Sequence, residues 1–224
     1  MQLSRGGSAV AAAGPARWFT RTAVALATGA GLMLAASHAH AVIVYSGPVN
    51  LSIPATTNGL YVNVVSGATN LPGGGTGTGV PGWDINPWSS TGLGFFNPSS
   101  PAGGVYVVTS PGFVANLAPG ASIGGTSTYG AGTAANVAQW NLNSDNNLFG
   151  FRFTNESGGT LHYGWARISL GGTVTDPSRA IVEYAFESSP GMAIQAGVVP
   201  EPGTFAMLGL GVAAVLAARR RRQA

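Results

Sequence analysis

Turn-forming residues interrupt every apolar run between residues 42 and 197, and this feature constrains the fold more than any other. Helical periodicity is scarce there, whereas short runs bounded by Gly, Pro, Asn or Ser are typical of β-strands. No repeat of 20–50 residues is visible, which argues against a solenoid or a propeller. The predicted strands are Val42–Tyr45, Val49–Ile53, Leu60–Val65, Gly104–Val108, Leu148–Thr154, Leu161–Leu170 and Ala180–Glu187.

Two of these strands show the alternation expected of a sheet. Phe149, Phe151 and Phe153 fall on one face of their strand, and Leu161–Leu170 carries apolar residues on both of its faces. The turn-rich segment 155–160 between them predicts a hairpin connection. Strands that are apolar on both faces favour the interior of a layered fold. We therefore predict an all-β domain over residues 42–197, a single antiparallel β-sandwich.

Two glycine-rich stretches, 66–82 and 118–135, are predicted to be long loops. Neither has a Lys after its Gly cluster or a helical pattern beyond it, so neither predicts a phosphate-binding loop.

The charges are segregated along the chain. The chain has no Cys and only 8% charged residues. The central region, 42–197, holds three Arg against six acidic residues, and the remaining Arg lie near the two ends. The basic pI therefore gives no support for a nucleic-acid partner. The absence of Cys excludes disulfides and thiolate metal sites.

The N-terminal segment 1–41 has the three parts of a signal peptide. Arg17 and Arg21 precede an apolar run at Thr22–Ala36, and the small residues Ala39 and Ala41 fit the cleavage rule. We predict passage through the Sec translocon and cleavage by signal peptidase after Ala41. The alternative is a retained membrane anchor.

The C-terminal segment 198–224 also has three parts. Pro200, Glu201 and Pro202 form a rigid start, Thr204–Ala218 is apolar, and the basic residues Arg219, Arg220, Arg221 and Arg222 follow. A helix over 204–218 is about 22 Å long, short for a hydrocarbon layer of about 30 Å. The arginines favour a cytoplasmic tail with the domain outside. A permanent anchor is the alternative reading.

This order of segments resembles the PEP-CTERM sorting signal of Gram-negative bacteria. The resemblance implies cleavage near Pro-Glu-Pro by an exosortase, a membrane-embedded protease. It also implies export across the inner membrane, transient anchoring there by the short transmembrane helix, and a final place at the cell surface or outside the cell.

The central region also resembles a recurrent extracellular module of PEP-CTERM proteins. The similarity lies in VIVYSGPVNLSIP, GFRF, YGWAR and YAFE with the Pro-Gly that follows it. It implies a jelly-roll or concanavalin-like sandwich. It supplies no catalytic residues to carry over.

Metal sites find little support in the sequence. Asn141, Asn143 and Asp145 place oxygen atoms at alternate positions, but Asn146 and Arg152 stand where an EF-hand needs Gly and Glu. A looser calcium site or a turn capped by its own side chains are both open. His162 alone makes a poor zinc site, and no cofactor is predicted.

Catalytic pairs are equally scarce. Glu183 and Glu187 lie roughly 13 Å apart along a strand, whereas glycosidase carboxyls lie about 5–9.5 Å apart. The pair Asp84 and Glu156 stays open. No nucleophile-elbow motif occurs. The sequence therefore predicts no enzyme.

Aromatic residues provide an alternative function. Trp83 and Trp88 flank polar residues in one predicted loop and could stack on sugars, although buried aromatics are the commoner case. We also expect Arg152 or Arg167 to pair with a carboxylate. The leading hypothesis is a non-catalytic surface or matrix protein that accompanies exopolysaccharide and biofilm. A carbohydrate-binding module is the second hypothesis and a secreted hydrolase the third.

Overall fold

The computed structural model describes residues 42–110, 112–134 and 139–199. These ranges contain strands, turns and one 3-10 helix at Gly77–Gly79. The strands are β1 Ile43–Tyr45, β2 Leu51–Ser52, β3 Asn86–Trp88, β4 Gly94–Phe96, β5 Tyr106–Ser110, β6 Gly112–Val114, β7 Ser122–Ile123, β8 Tyr129–Gly130, β9 Gly132–Ala134, β10 Ser144–Asn155, β11 Thr160–Leu170, β12 Ala180–Glu187 and β13 Ile194–Gln195.

The three longest strands, β10, β11 and β12, form the centre of the sheet. β10 and β11 are an antiparallel hairpin that pairs from Asn155 with Thr160 to Ser144 with Leu170, so the predicted connection at 155–160 is confirmed. β12 continues the sheet antiparallel to β11. The sheet of 11 strands then runs in the order β1-β12-β11-β10-β5-β6-β9-β4-β3, with β2 on β12 and β8 on β5.

The sheet curls so that one of its ends covers its own centre. Phe95 lies on β4, four strands from β10 in the sheet order. Its ring nevertheless lies 5.1 Å from the ring of Phe149 on β10 and 5.1 Å from that of Tyr106 on β5. The larger hydrophobic core fills the space inside this curl. It includes the three phenylalanines of β10 that were predicted to share a face.

A second, smaller core lies on the other face of the central strands. Trp165 is fully buried there with Leu148, and the two-stranded sheet of β7 and β13 supplies Ile123 and Ile194. Both faces of β11 are therefore covered, which is why its sequence is apolar on both sides.

An all-β fold is confirmed over the described ranges, but three finer predictions were wrong. The sheet is not purely antiparallel, since β6 and β9 pair in parallel. The intervening chain is long enough for the crossover that a parallel pair requires. The predicted loop 118–135 contains β7, β8 and β9. The predicted strand Leu60–Val65 has only isolated bridges at Val62.

The remaining architectural predictions are untested. The structure shows one curled sheet with a small second sheet, and the two-layer sandwich of jelly-roll or concanavalin-like topology stays a prediction. The signal peptide 1–41 and the transmembrane helix 204–218 lie outside the described residues. Among those described, no helix is long and apolar enough to cross a bilayer.

Candidate binding cleft

A surface cleft of about 470 Å³ lies beside the turn of the β10–β11 hairpin. It brings together this turn and two segments distant in sequence, one just before β3 and one just after β4. The lining residues are Gly82, Trp83, Asp84, Pro98, Ser99, Ser100, Thr154, Asn155, Glu156 and Gly159. Two carboxyl groups and an indole thus meet in one cleft, and the carboxyl groups are the pair, Asp84 and Glu156, that the sequence left open.

Asp84 is the buried carboxyl of the cleft. It is 3% exposed, and its Oδ2 accepts a hydrogen bond from the main-chain N–H of Val64 at 2.8 Å. Burial raises the pKa of Asp84 to about 7, and the negative charge of Glu156 adds to the rise, against the lowering effect of the Val64 N–H. Asp84 therefore exchanges a proton with its surroundings near neutral pH.

Glu156 is the exposed carboxyl, and Asn63 holds it in place. The amide Nδ2 of Asn63 donates to Glu156 Oε1 at 2.8 Å and to the carbonyl of Pro81 at 3.1 Å. The amide oxygen accepts the N–H groups of Val65 and Ser66. Asn63 is 6% exposed, and both ends of its side-chain amide are hydrogen-bonded. A buried residue with a fixed orientation therefore positions the carboxylate of Glu156.

Gly82 makes room for Glu156. A Cβ at this position would overlap the Glu156 carboxylate, and the backbone has φ +65°, a conformation that favours glycine. Glycine at position 82 therefore allows the Glu156 carboxylate to lie against the segment before β3.

Trp83 belongs to an aromatic cluster next to the cleft. Its ring meets Tyr61 edge-on at 4.8 Å and stacks on Phe96 at 6.0 Å. Phe96 is 52% exposed, so this cluster reaches the surface. Trp88, the second predicted stacking residue, lies at the end of strand β3, so the prediction of one loop from Trp83 to Trp88 was wrong. It is half-buried against Gly59 and Gly94 and does not line the cleft.

The arrangement suits a polyhydroxylated ligand. Aromatic faces pack on the apolar faces of sugar rings, while carboxylates and backbone groups accept hydrogen bonds from hydroxyls. A carboxyl that titrates near neutral pH beside a second carboxylate also resembles the acid and base pair of glycosidases.

The weak calcium candidate lies elsewhere, at the start of β10. Asn141, Asn143 and Asp145 are all exposed. The side chain of Asn141 donates to the carbonyl of Asn146 at 2.9 Å, and Asn143 adopts a positive φ of 51°. These are features of a turn that its own side chains stabilise. Calcium at these residues stays a prediction.

The other candidate polar residues have structural partners. Arg167 pairs with Glu183 at 2.7 Å, which confirms the ion pair predicted for Arg167. Arg152 instead donates to the carbonyls of Gly104 and Ala102 and covers the ring of Tyr129. Within the described ranges, no three His, Cys, Asp or Glu residues lie close enough to share a metal ion.

Asn63 was not predicted to be a site residue. It lies within a segment predicted to be a strand, Leu60–Val65, and a polar residue that breaks an apolar run was the available signal. Its role depends on a contact with Glu156, 93 positions along the chain, that local pattern does not encode.

The chain leaves the domain at Val198, whose carbonyl accepts a hydrogen bond from the buried indole of Trp165 at 3.2 Å. Residues 198–222 match the PEP-CTERM protein-sorting motif. The chain carries a PEP-CTERM sorting motif. The motif thus begins directly at the edge of the folded domain. It supports a protein that is exported and then sorted at the membrane by an exosortase-type enzyme.

No curated protein and no solved structure matches the chain. The PEP-CTERM residues from Pro200 onward, including Arg219–Arg222, and the predicted cleavage residues Ala39 and Ala41 lie outside the described ranges.

Proposed function

We propose that this protein is a non-catalytic component of the cell surface or extracellular matrix of a Gram-negative bacterium, delivered through its PEP-CTERM motif. The match of residues 198–222 to that motif carries the proposal. The domain edge at Val198 supports it, because no spacer separates the folded domain from the segment that an exosortase would process.

Fractionation of the native host tests this proposal. Wild type is expected in the surface or extracellular fraction without its C-terminal segment. Replacement of Pro200, Glu201 and Pro202 by Ala is expected to leave the intact chain in the membrane fraction. Pro190→Ala, which changes an exposed proline outside the motif, is the matched control. Unprocessed wild-type chain in the cytoplasm would contradict the proposal.

The cleft favours a second function, the binding of carbohydrate, with exopolysaccharide as the expected ligand class. The supporting observation is that Trp83 lines a cleft with two carboxyl groups, whereas Trp88 does not. Glycan-array and calorimetric binding by the mature chain is expected to be lost in Trp83→Ala and retained in Trp88→Ala. Equal loss in both variants, or no binding by the wild type, would refute a sugar site in this cleft.

The third function, hydrolysis, predicts a different result from the same protein. A glycosidase would release reducing sugar from the ligand, and Glu156→Gln or Asp84→Asn would abolish this release. Binding without release supports the binding module.

A further inference from the structure

Glu187 holds a buried carboxylate that faces a main-chain nitrogen. The residue is 1% exposed. Its Oε1 accepts the N–H of Val42 at 3.0 Å and that of Ser189 at 2.8 Å. Within the described ranges, the only salt bridge joins Arg167 to Glu183, so no cationic side chain neutralises Glu187 there. A buried carboxylate without a cation is costly, and such groups ordinarily have a partner.

His162 lies next to Glu187 but does not bond its carboxylate. Its Nδ1 bonds the main-chain carbonyl of Glu187 at 2.9 Å and its Nε2 bonds the hydroxyl of Thr160 at 2.9 Å. A carbonyl only accepts, so Nδ1 carries a proton and donates it to the Glu187 carbonyl rather than to the carboxylate. The carboxylate itself receives nothing from His162 in the structure.

Val42 is held at this position by its backbone. Its carbonyl accepts the N–H of Ser188 at 3.0 Å, and the next residue, Ile43, pairs with Glu187 in the register of β1 on β12. The Val42 side chain is 56% exposed and contributes little packing. One main-chain hydrogen bond and the register of β1 on β12 therefore fix the nitrogen of Val42 against the carboxylate.

The predicted cleavage after Ala41 would change this nitrogen chemically. Hydrolysis consumes one water, breaks the Ala41–Val42 peptide bond, leaves a carboxylate on Ala41 and turns the amide nitrogen of Val42 into an amine. The amine takes up a proton near neutral pH and becomes an ammonium group. We propose that Glu187 is the binding site for the α-ammonium group that signal-peptide removal creates on Val42.

The proposal, which rests on the predicted cleavage site, gives maturation a structural consequence. A hydrogen bond between two charged groups is roughly twice as strong as one between neutral groups. The new cation also neutralises the buried carboxylate. Processing would thus fix the edge strand β1 onto β12 more firmly than in the precursor, and the domain would reach its full stability only after export.

Purified chains with different N-termini distinguish an ion pair between Glu187 and the Val42 ammonium group from a hydrogen bond to a neutral Val42 N–H. The first chain begins at Val42, the second retains Ala41, and the third begins at an Nα-acetylated Val42. Each is made with Glu187 and with Glu187→Gln, and urea midpoints are measured at pH 7. The Val42 chain is expected to have the highest midpoint, and both other termini are expected to lower it.

The Glu187→Gln substitution is expected to remove this difference, whereas Asp145→Asn, which changes an exposed acid, is expected to preserve it. Equal midpoints for the three chains with Glu187, or a difference that persists in Glu187→Gln, would overturn the proposal. N-terminal sequencing of the exported protein is the second measurement, because a start other than Val42 would overturn it too. Since the midpoints need no exported material, failure of C-terminal sorting leaves them unaffected.

Discussion

Arg179 is fully buried, and main-chain carbonyls alone receive its hydrogen bonds within the described ranges. Its three guanidinium nitrogens donate to five of them, at distances of 2.6–3.2 Å, and burial lowers its pKa. The acceptors are Ile53, Pro54, Ser89, Gly92 and Val174. These carbonyls come from three separate segments, so one planar side chain with five donors holds the chain around β2, β3 and β12 together.

Arg179→Lys is expected to destabilise the domain although it keeps the charge. A lysine has three donors on one nitrogen and cannot satisfy five carbonyls spread over three segments. Since each unsatisfied buried group costs about 1–3 kcal/mol, we expect a loss of at least about 2 kcal/mol in the free energy of unfolding, measured by urea denaturation. Arg152→Lys, at a half-buried position, is the matched control. A loss no larger than that of the control would contradict this role.

Asp84 predicts a pH dependence of stability. Its pKa is raised from 3.8 to about 7, so between about pH 4 and pH 7 the folded state holds a proton that the unfolded state has lost. Stability therefore falls as pH rises through this window and levels off above it. The fall is at most roughly 4 kcal/mol, from about 1.4 kcal/mol per pKa unit.

Asp84→Asn is expected to remove that fall, because Asn cannot ionise and still accepts the Val64 N–H. Chemical denaturation from pH 4 to pH 8 is the measurement, and Asp145→Asn is the exposed control. If the two variants and the wild type show the same dependence on pH, the raised pKa of Asp84 is wrong.

Among the strands, the β10–β11 hairpin depends on a close packing contact. Gly164 on β11 faces Phe151 on β10, and a Cβ there would come within 2.5–2.8 Å of the Phe151 ring and the carbonyl of Ala185. These neighbours belong to the two flanking strands of the sheet. Gly164 therefore sets the spacing of the core above the hairpin.

Gly164→Ala is expected to cost about 1–3 kcal/mol of stability by overpacking. Gly158→Ala, in the turn of the same hairpin, meets only Thr160 at 3.7 Å and is expected to change stability by under about 0.5 kcal/mol. Urea denaturation of both variants followed by circular dichroism is the comparison. Equal effects of the two substitutions would contradict this account of the hairpin.

Strand length decided how much of the fold the sequence could predict. β10, β11 and β12 are long enough to show alternation, and they were predicted within a few residues. β7, β8 and β9 are two or three residues long and carry no readable pattern. In the segment 60–65, which was predicted to be a strand, the alternate residues Leu60, Val62 and Val64 are buried. Leu60 and Val62 donate to the carbonyls of Pro87 and Ile85, but Val64 donates to the Asp84 side chain, so the pairing stops short of a strand over 60–65.

At the scale of the whole molecule, long-range contacts decide where the site lies. The curl that places β4 over β10 joins residues far apart in sequence, and composition gives no sign of it. Asp84 and Glu156 were recognisable as candidates, but their shared cleft was not. The ends of the chain were easier to interpret, because export and sorting signals are contiguous in sequence.

The central claim, an exported protein sorted through its C-terminal motif, is tested most directly by the intact mass of the protein recovered from the surface or medium of its host. We predict a chain that begins at Val42 and lacks the apolar segment and arginines after Pro-Glu-Pro. In cells without the exosortase, we expect the chain to retain both. A recovered chain that still ends at Ala224 in cells with the exosortase would contradict it.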